Sequence, residues 1–218
     1  EPYVRKFWPA TLVAWTRLLA GNFFDPRVGR DILIGTLFGA ATVLLGRLEH
    51  QLRPLLGFPV LPPQVPSVLW LEGVRQMLAA VAQLLFSATF NSLWIIFGLV
   101  AVNLIVRRVW ITAAVMTLFL LVTAAGAIAQ APPVWLGTLI VLGVASSMVL
   151  VALKFGLLAT IVLFFVNFVL GSAVLTLHAS RWSFPTSAAL LLMVAALAVY
   201  GFVASRAGEP LLGRRILD

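Results

Sequence analysis

Two histidines, His50 and His178, and no cysteine are the whole supply of soft metal ligands and imidazole bases in 218 residues. Without thiols there is no thiolate nucleophile, no disulfide and no sulfur-ligated metal. The histidines fall at loop borders, and neither belongs to the His-Glu-x-x-His pattern of a helical zinc site. Ser146-Ser147 places hydroxyls inside an apolar run, but no histidine is positioned to take a proton from them. Paired carboxylates at membrane depth are missing as well. The strongest polar groups within apolar runs are Asn91, Asn103 and Asn167. Their amides suit hydrogen bonds between helices, worth about 1 kcal/mol each. These residue types imply no catalytic set, no metal and no cofactor.

One stretch imitates a reactive motif. Val151-Ala152-Leu153-Lys154 is similar to the lysine strand of a protein kinase, and Lys154-Phe155-Gly156 imitates its metal-binding tripeptide. A kinase fold also needs a glycine-rich phosphate loop, a His-Arg-Asp and an Asp-Phe-Gly, and the chain has none of them. Lys154 instead reads as a basic residue at a helix end, its stem long enough to snorkel to a membrane surface.

The elements that hold these residues are set by composition. With 62% hydrophobic and 10% charged residues, the chain departs from soluble domains, which are about half apolar and a quarter charged. The net charge of +8 has no soluble surface on which to form a nucleic-acid patch, so nucleic acid is not an expected partner. The expected class is an all-α polytopic membrane bundle whose positive charges sit in its loops.

Charge-free runs, read against the ~20 residues needed to cross a bilayer, predict six spans near 26–48, 88–106, 109–130, 134–153, 155–177 and 182–205. Asp25 as N-cap and Pro26 at the first helical position start the first span. Pro132-Pro133 separates the third from the fourth. The polar cluster Ser87, Thr89, Asn91 and Ser92 suggests an interfacial helix over 68–86 ahead of the second span, with one long tilted helix as the alternative. Trp8, Leu12, Trp15 and Leu19 predict an interfacial helix near 10–20, stopped by Gly21-Asn22. The domain scheme is therefore a juxtamembrane segment 1–25, a membrane domain 26–206 with a Pro-rich outer loop at 47–75, and a tail 207–218. Gly35-x-x-x-Gly39 is a helix-packing pattern, joined by Asn91, Asn103 and Asn167. No internal repeat of the kind that builds many transporters is visible.

Charge then orients the bundle. Arg5, Lys6, Arg17, Arg27, Arg30, Arg107, Arg108, Lys154, Arg206, Arg214 and Arg215 fall on the side of the termini, whereas Arg47, Arg53, Arg75 and Arg181 fall on the other. Positive charge marks the cytoplasmic side, so both termini are expected in the cytoplasm. Arg5, Lys6, Arg17, Arg107, Arg108 and Lys154 are the basic anchors expected to meet anionic membrane lipids, the principal expected partner. The opening Glu1-Pro2-Tyr3, with no start methionine, reads as the beginning of a fragment.

Several motifs in order carry a resemblance. They are Trp15-Thr16-Arg17-Leu18-Leu19-Ala20-Gly21, Asp25-Pro26-Arg27-Val28-Gly29-Arg30-Asp31, Lys154-Phe155-Gly156-Leu157-Leu158-Ala159, Ala198-Val199-Tyr200-Gly201-Phe202 and Ala207-Gly208-Glu209-Pro210-Leu211. Together they resemble the C-terminal membrane region of bacterial serine/threonine protein kinases. The resemblance implies a bacterial inner-membrane location and a cytoplasmic kinase domain in the same parent chain. It also implies an anchoring and sensory role, and carries no catalytic residue to any position here. The residues alone leave open a small transporter or channel, or a structural subunit in a homo-oligomer or larger membrane complex.

Overall fold

The computed structural model describes residues 10–59, 73–172 and 184–206. Among these the chain is all helix: α1 (Ala10–Leu19), α2 (Pro26–Leu55), α3 (Val74–Val106), α4 (Val109–Ala129), α5 (Val134–Ser172) and α6 (Phe184–Ser205). Five of them, α2 to α6, are long and apolar enough to cross a membrane.

Local chemistry explains the first corner. The α1 C-terminus closes with Gly21 at φ 82°, its N–H donating to Leu18 O while Asn22 N–H donates to Arg17 O. This is the paired closure that a residue without Cβ permits. Asp25 then caps α2 by accepting from Arg27 N–H at 2.8 Å, with Pro26 following as the sequence predicts.

Two expectations about helix length need correction. α2 does not stop near 48 but runs through Arg47, Glu49 and Arg53 to Leu55, so the first part of the predicted outer loop at 47–75 is helical. α3 is one helix over 74–106, not an interfacial helix and a span. The polar cluster does not interrupt it, because Thr89, Asn91 and Ser92 each bond the carbonyl four residues earlier, at Leu85, Ser87 and Ala88. With its polar groups satisfied inside the helix, the segment gains nothing by breaking. The Pro62, Pro63 and Pro66 region lies outside the described residues.

α5 folds back on itself. Gly156 has φ 83° and ψ −161°, a conformation open to glycine alone. Contacts with α2 trace the reversal. A Cβ on Gly137 would meet Glu49 and Arg53, one on Gly143 would meet Leu45, and Phe155 lies beneath Arg30. Beyond the turn the partners run back along α2. Ala159 and Val162 sit on Gly35, Leu163 and Val166 on Gly39, and Asn167 bonds Thr42. The legs 134–155 and 157–172 are thus antiparallel, and the described residues traverse the bundle six times.

The second leg is the centre. Every residue from 156 to 166 is buried: an all-round apolar helix suits either a protein core or hydrocarbon, and here the neighbouring helices enclose it. Leu158, Val162, Val166 and Leu170 share a cluster with Val28 and Ile32 of α2, while Leu157, Ile161, Phe164 and Phe165 share one with Ile95, Ile96 and Leu99 of α3. The outer faces of α3, α4 and α6 remain apolar and exposed, with Phe86, Phe90, Phe97, Leu118, Leu192 and Val199 among them. So extensive an exposed apolar surface suits hydrocarbon and not water.

Candidate functional site: the basic end of the bundle

The fold gathers most of the described cations at one end. Gly29, near the start of α2, packs on Ala204 and Ser205 at the end of α6, and Tyr200 donates its hydroxyl to Phe23 O at 2.7 Å. Arg30 lies 5.9 Å from the Phe155 ring centroid, which brings the Lys154–Gly156 reversal to the same level. The α3–α4 turn at Arg107-Arg108 joins this end too, because Ile128, at the far end of α4, sits against Gly137 beside Arg53. Arg17, Arg27, Arg30, Arg107, Arg108, Lys154 and Arg206 therefore share one end.

The environments of the expected anchors differ. Lys154, Arg107 and Arg108 are exposed. Arg17 is not a free anchor, because its guanidinium pairs with Asp25 across the α1–α2 corner. The Arg27 backbone N–H holds the Asp25 carboxyl below its ordinary value; burial opposes it, and the Arg17 side chain adds to the lowering. The helix α1 is present where a surface helix is expected, seated on the bundle through buried Ala14 and partly buried Trp15, while Leu19 is exposed. Arg5 and Lys6 lie outside the described residues.

The expected packing residues are distributed as follows. Gly35 and Gly39 face the second leg of α5 so closely that a Cβ would stand 2.5 Å from Ala159 O and 2.7 Å from Leu163 O. Asn167 donates to Thr42 Oγ1 at 2.8 Å, joining α5 to α2, and Asn103 Oδ1 accepts from Thr112 Oγ1 at 3.3 Å, joining α3 to α4. Asn91 departs from the interhelical expectation, since its amide donates to Ser87 O in its own helix. Ser146 and Ser147 likewise donate to carbonyls of their own helix. His178 lies outside the described residues, and His50 is half-buried near the end of α2. Among the described residues no group of three or more His, Cys, Asp or Glu is placed to hold a metal.

Several residues stand out only in three dimensions. Arg53 is completely buried, donating to Glu49 and to Pro132 O, which ties α2 to the α4–α5 turn. Its Nε is the one buried side-chain polar atom without a partner among the described residues. Asp31 is also buried, accepting from Arg30 Nε and Nη2 at 3.1 and 2.9 Å, less than two turns from the start of α2. Gly29 and Gly201 allow α2 and α6 to touch at the backbone. A glutamate four residues before an arginine is a sequence signal for the first pair. None marks Gly29 or Gly201 as contact residues.

Compared with protein-family models, curated proteins and solved structures, the chain matches none. What it can do has to be argued from its own geometry. That geometry offers a basic end where early and late chain segments meet, a sealed interior and an exposed apolar flank.

Proposed function

We propose that this chain is the membrane anchor and sensory domain of a kinase-like signalling protein in a bacterial inner membrane, with both termini in the cytoplasm. One observation carries the reading: α1, the start of α2 and the end of α6 meet at the basic end, held by the Tyr200–Phe23 hydrogen bond and the Gly29–Ser205 contact. Positive charge favours the cytoplasmic side. A cytoplasmic kinase domain in the same parent chain would be coupled to all three elements at once. A displacement at the opposite end would reach it through the long α2, about 45 Å at 1.5 Å per residue.

In this reading the chain holds position and relays, and performs no phosphoryl transfer itself. The resemblance of the Trp15–Gly21 and Asp25–Asp31 stretches to kinase membrane regions supports the assignment. The codons upstream of Glu1 test it most directly. A continuous reading frame into a domain with His-Arg-Asp and Asp-Phe-Gly is expected, and a frame with no such domain removes the proposal. A second test compares the phosphorylation output of the parent with that of a parent lacking residues 60–66. Unchanged output and stimulus response, with normal insertion, would leave a passive anchor.

A further inference from the structure

The α3–α4 pair encloses a groove of about 270 Å³ whose lining includes Trp94, Phe97, Met116 and Phe119, with the small residues Gly98 and Ala101 between them. Small side chains at these two positions make the hollow. Trp94 and Phe97 are half or more exposed beside it, at 54% and 67%, so the groove opens on the flank of the bundle.

Its depth follows from helical rise. Ala101 stands six residues before Arg107 and Trp94 thirteen, which puts the groove roughly 9–20 Å from the turn along the axis. With the turn at the headgroups, that is the acyl zone of one leaflet, since the whole hydrocarbon core is ~30 Å thick.

Above the groove the turn presents Arg107 and Arg108, both exposed. No Asp or Glu occurs anywhere from Val74 to Ala129. The ion pairs among the described residues are Arg17–Asp25, Arg30–Asp31 and Arg53–Glu49, and neither arginine of the turn takes part. Trp110 is exposed at the same level, where an indole prefers the headgroup layer.

We propose that the groove and the Arg107-Arg108 turn form one site for an anionic glycerophospholipid of the leaflet on the basic side. An acyl chain fills the hollow beside Gly98 and Met116, and the phosphate is held by the two guanidiniums. Apolar shape alone would accept any lipid, and the uncompensated pair of positive charges selects an anionic one. A second protein helix would fill the groove equally well but would also have to bring an acid to the arginines. The site requires membrane insertion and does not depend on the signalling reading.

The test reconstitutes the whole chain in phosphatidylcholine nanodiscs containing a tenth of brominated lipid, either phosphatidylglycerol or phosphatidylcholine with identical chains. The difference in fluorescence between the chain and its Trp94→Phe variant isolates Trp94. Two charges near the surface predict up to about thirtyfold enrichment of the anionic lipid, seen as stronger quenching by brominated phosphatidylglycerol. The Arg107→Gln/Arg108→Gln double variant should lose the preference, and Ala101→Phe should weaken quenching by both lipids. Equal quenching by the two lipids, or a preference that survives the double variant, would overturn the site. Quenching by neither lipid, with a cross-linked second copy over Trp94, would assign the groove to self-association instead. Should a variant fail to insert, native mass spectrometry of the unaltered chain from equal mixtures decides, and retention of both lipids alike refutes the proposal.

Discussion

Glycine does opposite work on the two sides of this bundle. Along the seam of α2 with the second leg of α5 and with α6, Gly29, Gly35, Gly39 and Gly201 bring backbones together. A Cβ at these positions would stand between 2.2 and 2.9 Å from backbone atoms of the neighbouring helix. In the α3–α4 pair, a Cβ on Gly98 would meet only the tip of Met116, 2.9 Å from Cε, and a groove opens beside it. The seam is closed by rigid groups that cannot retreat. The pair is closed by a thioether that can swing away. A glycine in an apolar helix therefore marks a close approach only where the neighbour presents its backbone.

The largest effect should come from filling the seam. Gly29→Leu and Gly35→Leu are expected to leave no folded bundle, while even Gly29→Ala should exceed the ~1–3 kcal/mol typical of overpacking. Gly98→Ala should cost less than about 1 kcal/mol, because Met116 adapts. Thermal unfolding of the detergent-solubilised chain reads all four, and a Gly98→Ala loss matching Gly29→Ala would break the contrast.

Next comes the tie of the seam at the end away from the basic one. Arg53→Ala strands Glu49 beside the Pro132 turn and should destabilise by about 3–5 kcal/mol, as broken buried pairs do. The Arg53→Met/Glu49→Leu double variant should recover most of that loss, because it removes both desolvated charges together. A double variant no better than the single would show that the Pro132 carbonyl, not Glu49, is the partner that matters.

The polar ties of the two regions give a finer comparison. Asn167→Leu removes a 2.8 Å bond to buried Thr42 in the seam and should cost about 1 kcal/mol. Asn103→Leu should cost less, since its bond to Thr112 Oγ1 is longer, at 3.3 Å, while both threonines keep a carbonyl of their own helix, Gly39 O and Arg108 O. Unfolding midpoints measured side by side should preserve this order.

The smallest effect lies at the α1–α2 corner. The folded-state pKa of Asp25 is lowered, so its contribution is complete above the ordinary carboxylate value of 3.8 and is lost as pH falls through the folded-state value. Proteolysis at the corner should rise only below about pH 4, where the carboxylate cap protonates. Asp25→Asn should show a weaker acid dependence while keeping the cap. Equal acid sensitivity in the variant would place the titrating group elsewhere.

Much of this architecture is local and therefore legible. The Asp25-Pro26 start, the Gly21 stop and the Pro132-Pro133 break each depend on a few adjacent residues, and the all-helical membrane class follows from apolar content. The continuity of α3 could also be read from spacing, since each polar side chain has a carbonyl one turn earlier. The reading of a break at Ser87–Ser92 overlooked that local satisfaction.

Sequence by itself determined the solvent, the helices and the clustering of charge near their ends, because hydropathy and capping act over one turn or two. Only the tertiary structure decided which glycine is a contact and which lies beside a hollow. It also decided that Arg53 and Asp31 are buried and that an apolar groove opens between α3 and α4 below the Arg107-Arg108 turn. Each of these depends on what a distant segment brings to the same place. A residue's own neighbours in the chain carry no record of whether that segment offers a carbonyl, a methyl group or open space.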